Sequence, residues 1–131
     1  MLFSLQDVKA DLYQWATSDI VRVPLGFEFF DSRTQGGMAP GEVMIFLART
    51  GVGKTWFLLN VAANNPTTPA VYFSLEMQKR YTMLRLAGML TNTPTNVVEQ
   101  QAKTGHSPCV EEVPARLPHL AVVDEPALGL G

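Results

Sequence analysis

The residues best suited to chemistry in this sequence form one octapeptide, Ala48-Arg49-Thr50-Gly51-Val52-Gly53-Lys54-Thr55. It follows the phosphate-binding pattern Gly-x-x-x-x-Gly-Lys-Thr/Ser, with Ala in place of the first glycine. Such a loop works through its backbone. Its glycines let amides turn inward round a phosphate, the helix that follows points its positive end at the anion, and the lysine ammonium reaches the outer phosphates. Arg49, Thr50, Gly51, Val52, Gly53 and Lys54 are therefore the expected phosphate contacts, and the Thr55 hydroxyl is expected to take Mg²⁺.

Two acidic positions stand beside this loop in the argument. Glu76, in Ser74-Leu75-Glu76-Met77, has the place of a carboxylate that polarises a water attacking a bound triphosphate. It equally suits the first turn of the next helix, where the helix dipole favours an acid. Asp124-Glu125 closes the apolar run Leu120-Ala121-Val122-Val123, the position of an aspartate that holds Mg²⁺ through water. The alternative there is an ordinary polar turn, marked by Pro126. His106, Cys109 and His119 have the spacing of no zinc finger or ribbon. Lys79, Arg80 and Arg85 read as the solvated face of a helix.

The elements that must position these residues alternate. Val43 to Ala48 is a continuous apolar run, expected as a strand buried on both faces. Ala70 to Ser74 and Leu120 to Val123 are two further strands. Helices are expected over Lys54 to Ala63, from Met77 to about Leu90, and from Pro94 to near Gly105. Strand, helix, strand, helices, strand is the order of an α/β fold with a parallel sheet flanked by helices, whose ligands sit beyond the carboxyl ends of the strands. Arg49 to Thr55, Glu76 and Asp124-Glu125 occupy those ends. Ahead of the sheet, Ser4-x-x-Asp7 reads as a helix cap, and Leu5, Val8, Leu12 and Trp15 follow at helical spacing, so an amphipathic helix is expected over residues 5–17. Residues 23–41 are a loop punctuated by Pro24, Gly26, Gly36-Gly37 and Pro40-Gly41. Trp56 and Phe57 are expected in the core or an interface.

Composition narrows the classes further. With 131 residues, 47% hydrophobic, 17% charged and a net charge of −2, the chain holds one domain at most, and collagen-like or low-complexity character is excluded. Its single cysteine, Cys109, admits no internal disulfide and fits a reducing cytoplasm. The mild acidity leaves no general electrostatic footprint for nucleic acid. The start of the chain has no signal-peptide pattern, and Asn64 to Pro69 interrupts the one uncharged stretch long enough to cross a membrane.

Taken together, Pro24-x-Gly26-Phe27, Asp31, Thr34-x-Gly36-Gly37-Met38-x-Pro40-Gly41-Glu42, the phosphate loop and Ser74-Leu75-Glu76-Met77, with Arg85 eight residues beyond Met77, resemble the start of the RecA-like P-loop ATPase domain of replicative DnaB-type helicases. The resemblance runs from Val23 to about Leu90 and continues weakly over Leu120 to Leu128. It implies an ATP–Mg²⁺ site with Lys54 on the phosphates, Thr55 on the metal and Glu76 activating water. Val122-Val123-Asp124-Glu125-Pro126 is similar to the family segment that precedes the Walker B strand, which would lie beyond Gly131. Residues 21–131 are thus expected to be a partial domain, incomplete at its C-terminus, without the family's DNA-binding loops and arginine finger. Residues 1–20 stand where the family's linker helix would be, and the resemblance implies that this helix packs on an adjacent subunit.

Two functions follow from the resemblance. One is a helicase module whose ATP hydrolysis drives movement along single-stranded DNA in a homo-oligomeric, hexameric ring. The other is a shortened, non-catalytic nucleotide-binding protein that joins or inhibits a complete helicase ring.

Overall fold

The structure is a computed structural model and describes residues 1–49 and 51–124. Its regular elements are α1 (Leu5–Thr17), α2 (Glu28–Asp31), α3 (Lys54–Ala63), β1 (Ala70–Phe73), α4 (Lys79–Thr91), α5 (Thr95–Lys103), α6 (Pro108–Arg116) and β2 (Leu120–Val123). The fold is α/β. β1 and β2 pair in parallel, Ala70 opposite Leu120 and Phe73 opposite Val123, and the crossover between them is the three-helix run α4–α6. No helix of the described residues is long and apolar enough to cross a membrane.

The core lies between this sheet and the helices. Leu59 of α3, Leu86 and Ala87 of α4, Val98 of α5, and Val113 and Leu117 at the end of α6 are buried together, with Tyr72 and Leu120 packed against them from the strands. Within β1, Ala70 and Tyr72 are half-buried whereas Val71 and Phe73 are exposed, so only one sheet face is covered.

The expected strand at Val43 to Ala48 is not one here. The segment is extended, but among the described residues nothing pairs with it, and a strand exists only where a neighbour takes its backbone N–H and C=O groups. Its burial alternates. Met44 and Phe46 turn inward, with Phe46 against Phe57 at 4.4 Å between ring centroids, while Val43, Ile45 and Leu47 are 87%, 76% and 93% exposed. The apolar run therefore has one covered face instead of two.

Two helices correct the sequence expectations. α2 interrupts the region read as loop. α6 lies beyond the last helix expected from sequence, and it forms although it contains Pro108 and Pro114. Pro108, however, stands in the first turn, where a missing N–H costs nothing, and the Ser107 hydroxyl accepts from Val110 N at 3.4 Å as its cap. The Ser-Pro pair was the available signal. α4 begins two residues later than expected.

α1 matches its expected bounds, and Ser4 Oγ accepts from Asp7 N at 3.1 Å. None of its residues is buried, and Leu5, Val8, Leu12 and Trp15 all face solvent. The helix does not contribute to this chain's own core.

Residues 22–42 form a pinned loop instead of a loose connection. Val23 and Met38 exchange backbone hydrogen bonds of 2.7 and 2.8 Å. Asp31 accepts from Leu25 N and Gly26 N at 2.8 and 2.9 Å, one on each carboxylate oxygen. Asn64 and Asn65, at the end of α3, donate to the carbonyls of Leu25 and Pro24 at 3.0 and 2.8 Å. Phe27 stacks on Phe57 at 5.0 Å, and Phe30 meets the same ring edge-on at 5.5 Å. This loop thus fastens both ends of α3. Asp31→Ala leaves two amides without their acceptor, one beside the fully buried Leu25, and should lower the unfolding free energy by about 2 kcal/mol in urea titrations.

Candidate functional site

The phosphate loop enters α3 through two glycines in the left-handed region, Gly51 at φ 83° and Gly53, the N-cap, at φ 96°. Residues with a Cβ rarely adopt such angles, so here glycine is required by conformation. It is not required by crowding. A Cβ built on Gly51 would meet nothing within 4 Å, and one on Gly53 would reach only the Trp56 Cβ at 3.9 Å. The space in front of the loop is open.

The start of α3 is suited to an anion. Gly53 offers no side-chain cap and the first turn holds no acid, so the free amides and the positive end of the helix are left for an external group. Lys54 is exposed at that end, and among the described residues it is in no ion pair. Val52 N donates to Arg49 O at 3.2 Å, which closes the turn. Thr50 and Glu125 lie outside the described residues.

Thr55 is half-buried on α3 and lies beside the Tyr72 phenol of β1. Burial pushes the Tyr72 pKa up; the Thr55 hydroxyl and the Arg85 charge oppose this, and the Glu76 charge adds to it. Tyr72 is therefore the point at which Thr55, Glu76 and Arg85, anticipated separately from sequence, act on one group. Sequence reading treated Tyr72 only as part of an apolar strand. The one signal for it was strand alternation, which puts residues 70 and 72 on the same face.

Glu76 is exposed in the bend between β1 and α4, ahead of the first helical turn. Of its two readings from sequence, the one as a helix-dipole acid does not hold, because α4 has no acid in its first turn. The parallel register continues one residue beyond the strands, with Ser74 N donating to Val123 O at 2.9 Å, and so the Glu76 bend and Asp124 leave the sheet at the same end. The Asp124 carboxylate accepts from Lys79 N at 3.1 Å.

A groove of about 920 Å³ lies between α3, α4 and α5 and is lined by Trp56, Asn60, Tyr81, Arg85 and Glu99 among others. Neither residues 51–55 nor Glu76 line it. A phosphate cradle of outward-facing amides is an open surface, so the chemistry and the cavity need not coincide. Among the described residues no group of three or more His, Cys, Asp or Glu side chains comes together.

The family model described as "DnaB-like helicase C terminal domain" matches residues 22–121. The chain is 31% identical over 93 residues to the replicative DNA helicase DnaB of Haemophilus influenzae, an alignment that takes in 69% of this chain and 19% of that protein. It is 29% identical over 97 residues to the DnaB of Buchnera aphidicola, covering 72% and 20%. To the replicative DNA helicase DnaC of Bacillus subtilis it is 34% identical over 91 residues, covering 67% and 19%. The chain thus spans about a fifth of the length of these relatives.

Proposed function

Because the chain belongs to the family of the DnaB-like helicase C-terminal domain, we propose that it is an ATP-binding, RecA-like P-loop module whose hydrolysis of ATP serves movement along single-stranded DNA in a larger, homo-oligomeric assembly in the cytoplasm. The observation that carries this reading is the start of α3. Two left-handed glycines, an uncapped helix N-terminus without acids and an exposed lysine are assembled round open space, which is what a polyphosphate needs.

In this reading the amides of residues 49–53 and the Lys54 ammonium hold the phosphates, and the Thr55 hydroxyl takes the metal. Mg²⁺, when bound, neutralises charge on the phosphate oxygens. Glu76 accepts a hydrogen bond from water and holds it for attack, drawing off its proton. The exposed Leu5, Val8, Leu12 and Trp15 of α1 make that helix the contact to a neighbouring copy.

Phosphate release with and without single-stranded DNA tests the motor reading. DNA-stimulated release that is lost in Lys54→Ala supports it, and ATP binding without any release counts against it. That second outcome would favour a nucleotide-holding protein that joins a complete helicase ring. The observation on that side is the apolar surface presented by α1 and by Val43, Ile45 and Leu47. Co-purification with a full-length helicase, without DNA-stimulated hydrolysis, would establish it.

A further inference from the structure

Helix α4 is poorly started by its own residues. Its N-cap, Gln78, makes no capping bond, and its side-chain oxygen accepts instead from Arg80 Nε at 2.7 Å. The first turn holds Lys79 and Arg80 and no acid, which puts two cations at the positive end of the helix dipole. The missing carboxylate comes from far along the chain. Asp124, just beyond β2 and 45 residues from Lys79, accepts from Lys79 N through Oδ2 at 3.1 Å.

The bend that carries Glu76 is held at both ends by this arrangement. At its start Ser74, 3% exposed, donates its N–H to Val123 O, and its hydroxyl donates to Met77 O. At its finish, Asp124 fixes the first amide of α4. Val123 and Asp124 are consecutive, so the end of β2 grips the bend from one side at both points.

We propose that Asp124 is a positioning residue, capping α4 from the end of β2 and thereby holding the Ser74–Gln78 bend and Glu76. Its bearing on hydrolysis rests on the role proposed above for Glu76; its action on α4 does not. This role differs from that of a Mg²⁺ ligand, the expectation drawn from the end of an apolar strand, because the carboxylate is used on a backbone amide.

Two variants of the whole chain separate these roles. Asparagine caps helices about as well as aspartate, whereas alanine removes the acceptor, and both remove the charge that a metal would bind. In amide-exchange measurements on the labelled chain without nucleotide, Asp124→Ala should speed exchange of the Lys79 amide by about fivefold and shift the Glu76 amide resonance, while Asp124→Asn leaves both near wild type. The Mg²⁺ concentration for half-maximal ATP binding should be the same in all three proteins. Where phosphate release is measured, Asp124→Ala should lower kcat at unchanged KM for ATP, and Asp124→Asn should restore it. An unchanged Lys79 amide in Asp124→Ala would overturn the proposal. So would a Mg²⁺ requirement raised by about tenfold or more in both variants, which would make Asp124 a metal ligand. The amide readouts need no nucleotide, so a chain that bound no ATP would defeat the function proposed above and still decide this one.

Discussion

Lys54→Ala should reduce the affinity for Mg²⁺-ATP by about 100-fold or more, measured by calorimetry against the unsubstituted chain. The argument starts from where the residue stands. Lys54 opens α3 directly after Gly53, is exposed, and has no acid in its own helical turn to pair with. Among the described residues its charge is in no ion pair. A charge-assisted bond to a phosphate is about twice as strong as a neutral one, and its loss leaves the outer phosphates facing only amide dipoles. The fold should be unaffected, since an exposed first-turn lysine buries nothing and alanine is a good helix former. Equal urea midpoints for the two proteins would separate lost binding from lost structure.

Glu76→Gln should leave ATP affinity within about twofold and slow phosphate release by about 10²- to 10⁴-fold, the usual range for losing a general base. Glutamine has nearly the same shape and still accepts a hydrogen bond, but it cannot take a proton from water. Glu76 is exposed in a bend, outside the core and outside any helical turn, so the exchange removes little besides that proton-accepting ability. Single-turnover release at saturating ATP, compared with equilibrium binding, reads the two effects separately. Unslowed release by the Glu76→Gln protein would take this residue out of the mechanism.

How much of this was legible in the sequence varies with the range of the forces involved. α1, α3, β1 and β2 were readable because a cap, a helical spacing or a short apolar run is a local signal, and α1 even keeps its expected bounds. α6 carries two prolines, and only position shows that Pro108 suits the first turn of a helix. Val43 to Ala48 was read as a two-faced buried strand, yet a strand depends on its neighbours, and among the described residues none pairs with it. The left-handed turn into α3 was legible because its angles at Gly51 and Gly53 are ones that only glycine adopts readily, and those glycines are written in the sequence. The companions of Thr55 and Asp124 were not legible. Thr55 influences the Tyr72 phenol only because α3 and β1 lie side by side in the fold, and Asp124 meets Lys79 only once β2 has paired with β1. Such contacts follow from tertiary register, which no local window contains.

The account stands or falls on the phosphate loop, and the most direct test is a calorimetric titration of the unsubstituted chain with ATP, with Mg²⁺ present and then chelated. One site per chain, weakened when Mg²⁺ is removed, is the expected result. No detectable binding by a chain that circular dichroism shows to be folded would contradict the central claim, leaving the two left-handed glycines and Lys54 as a turn that holds no nucleotide.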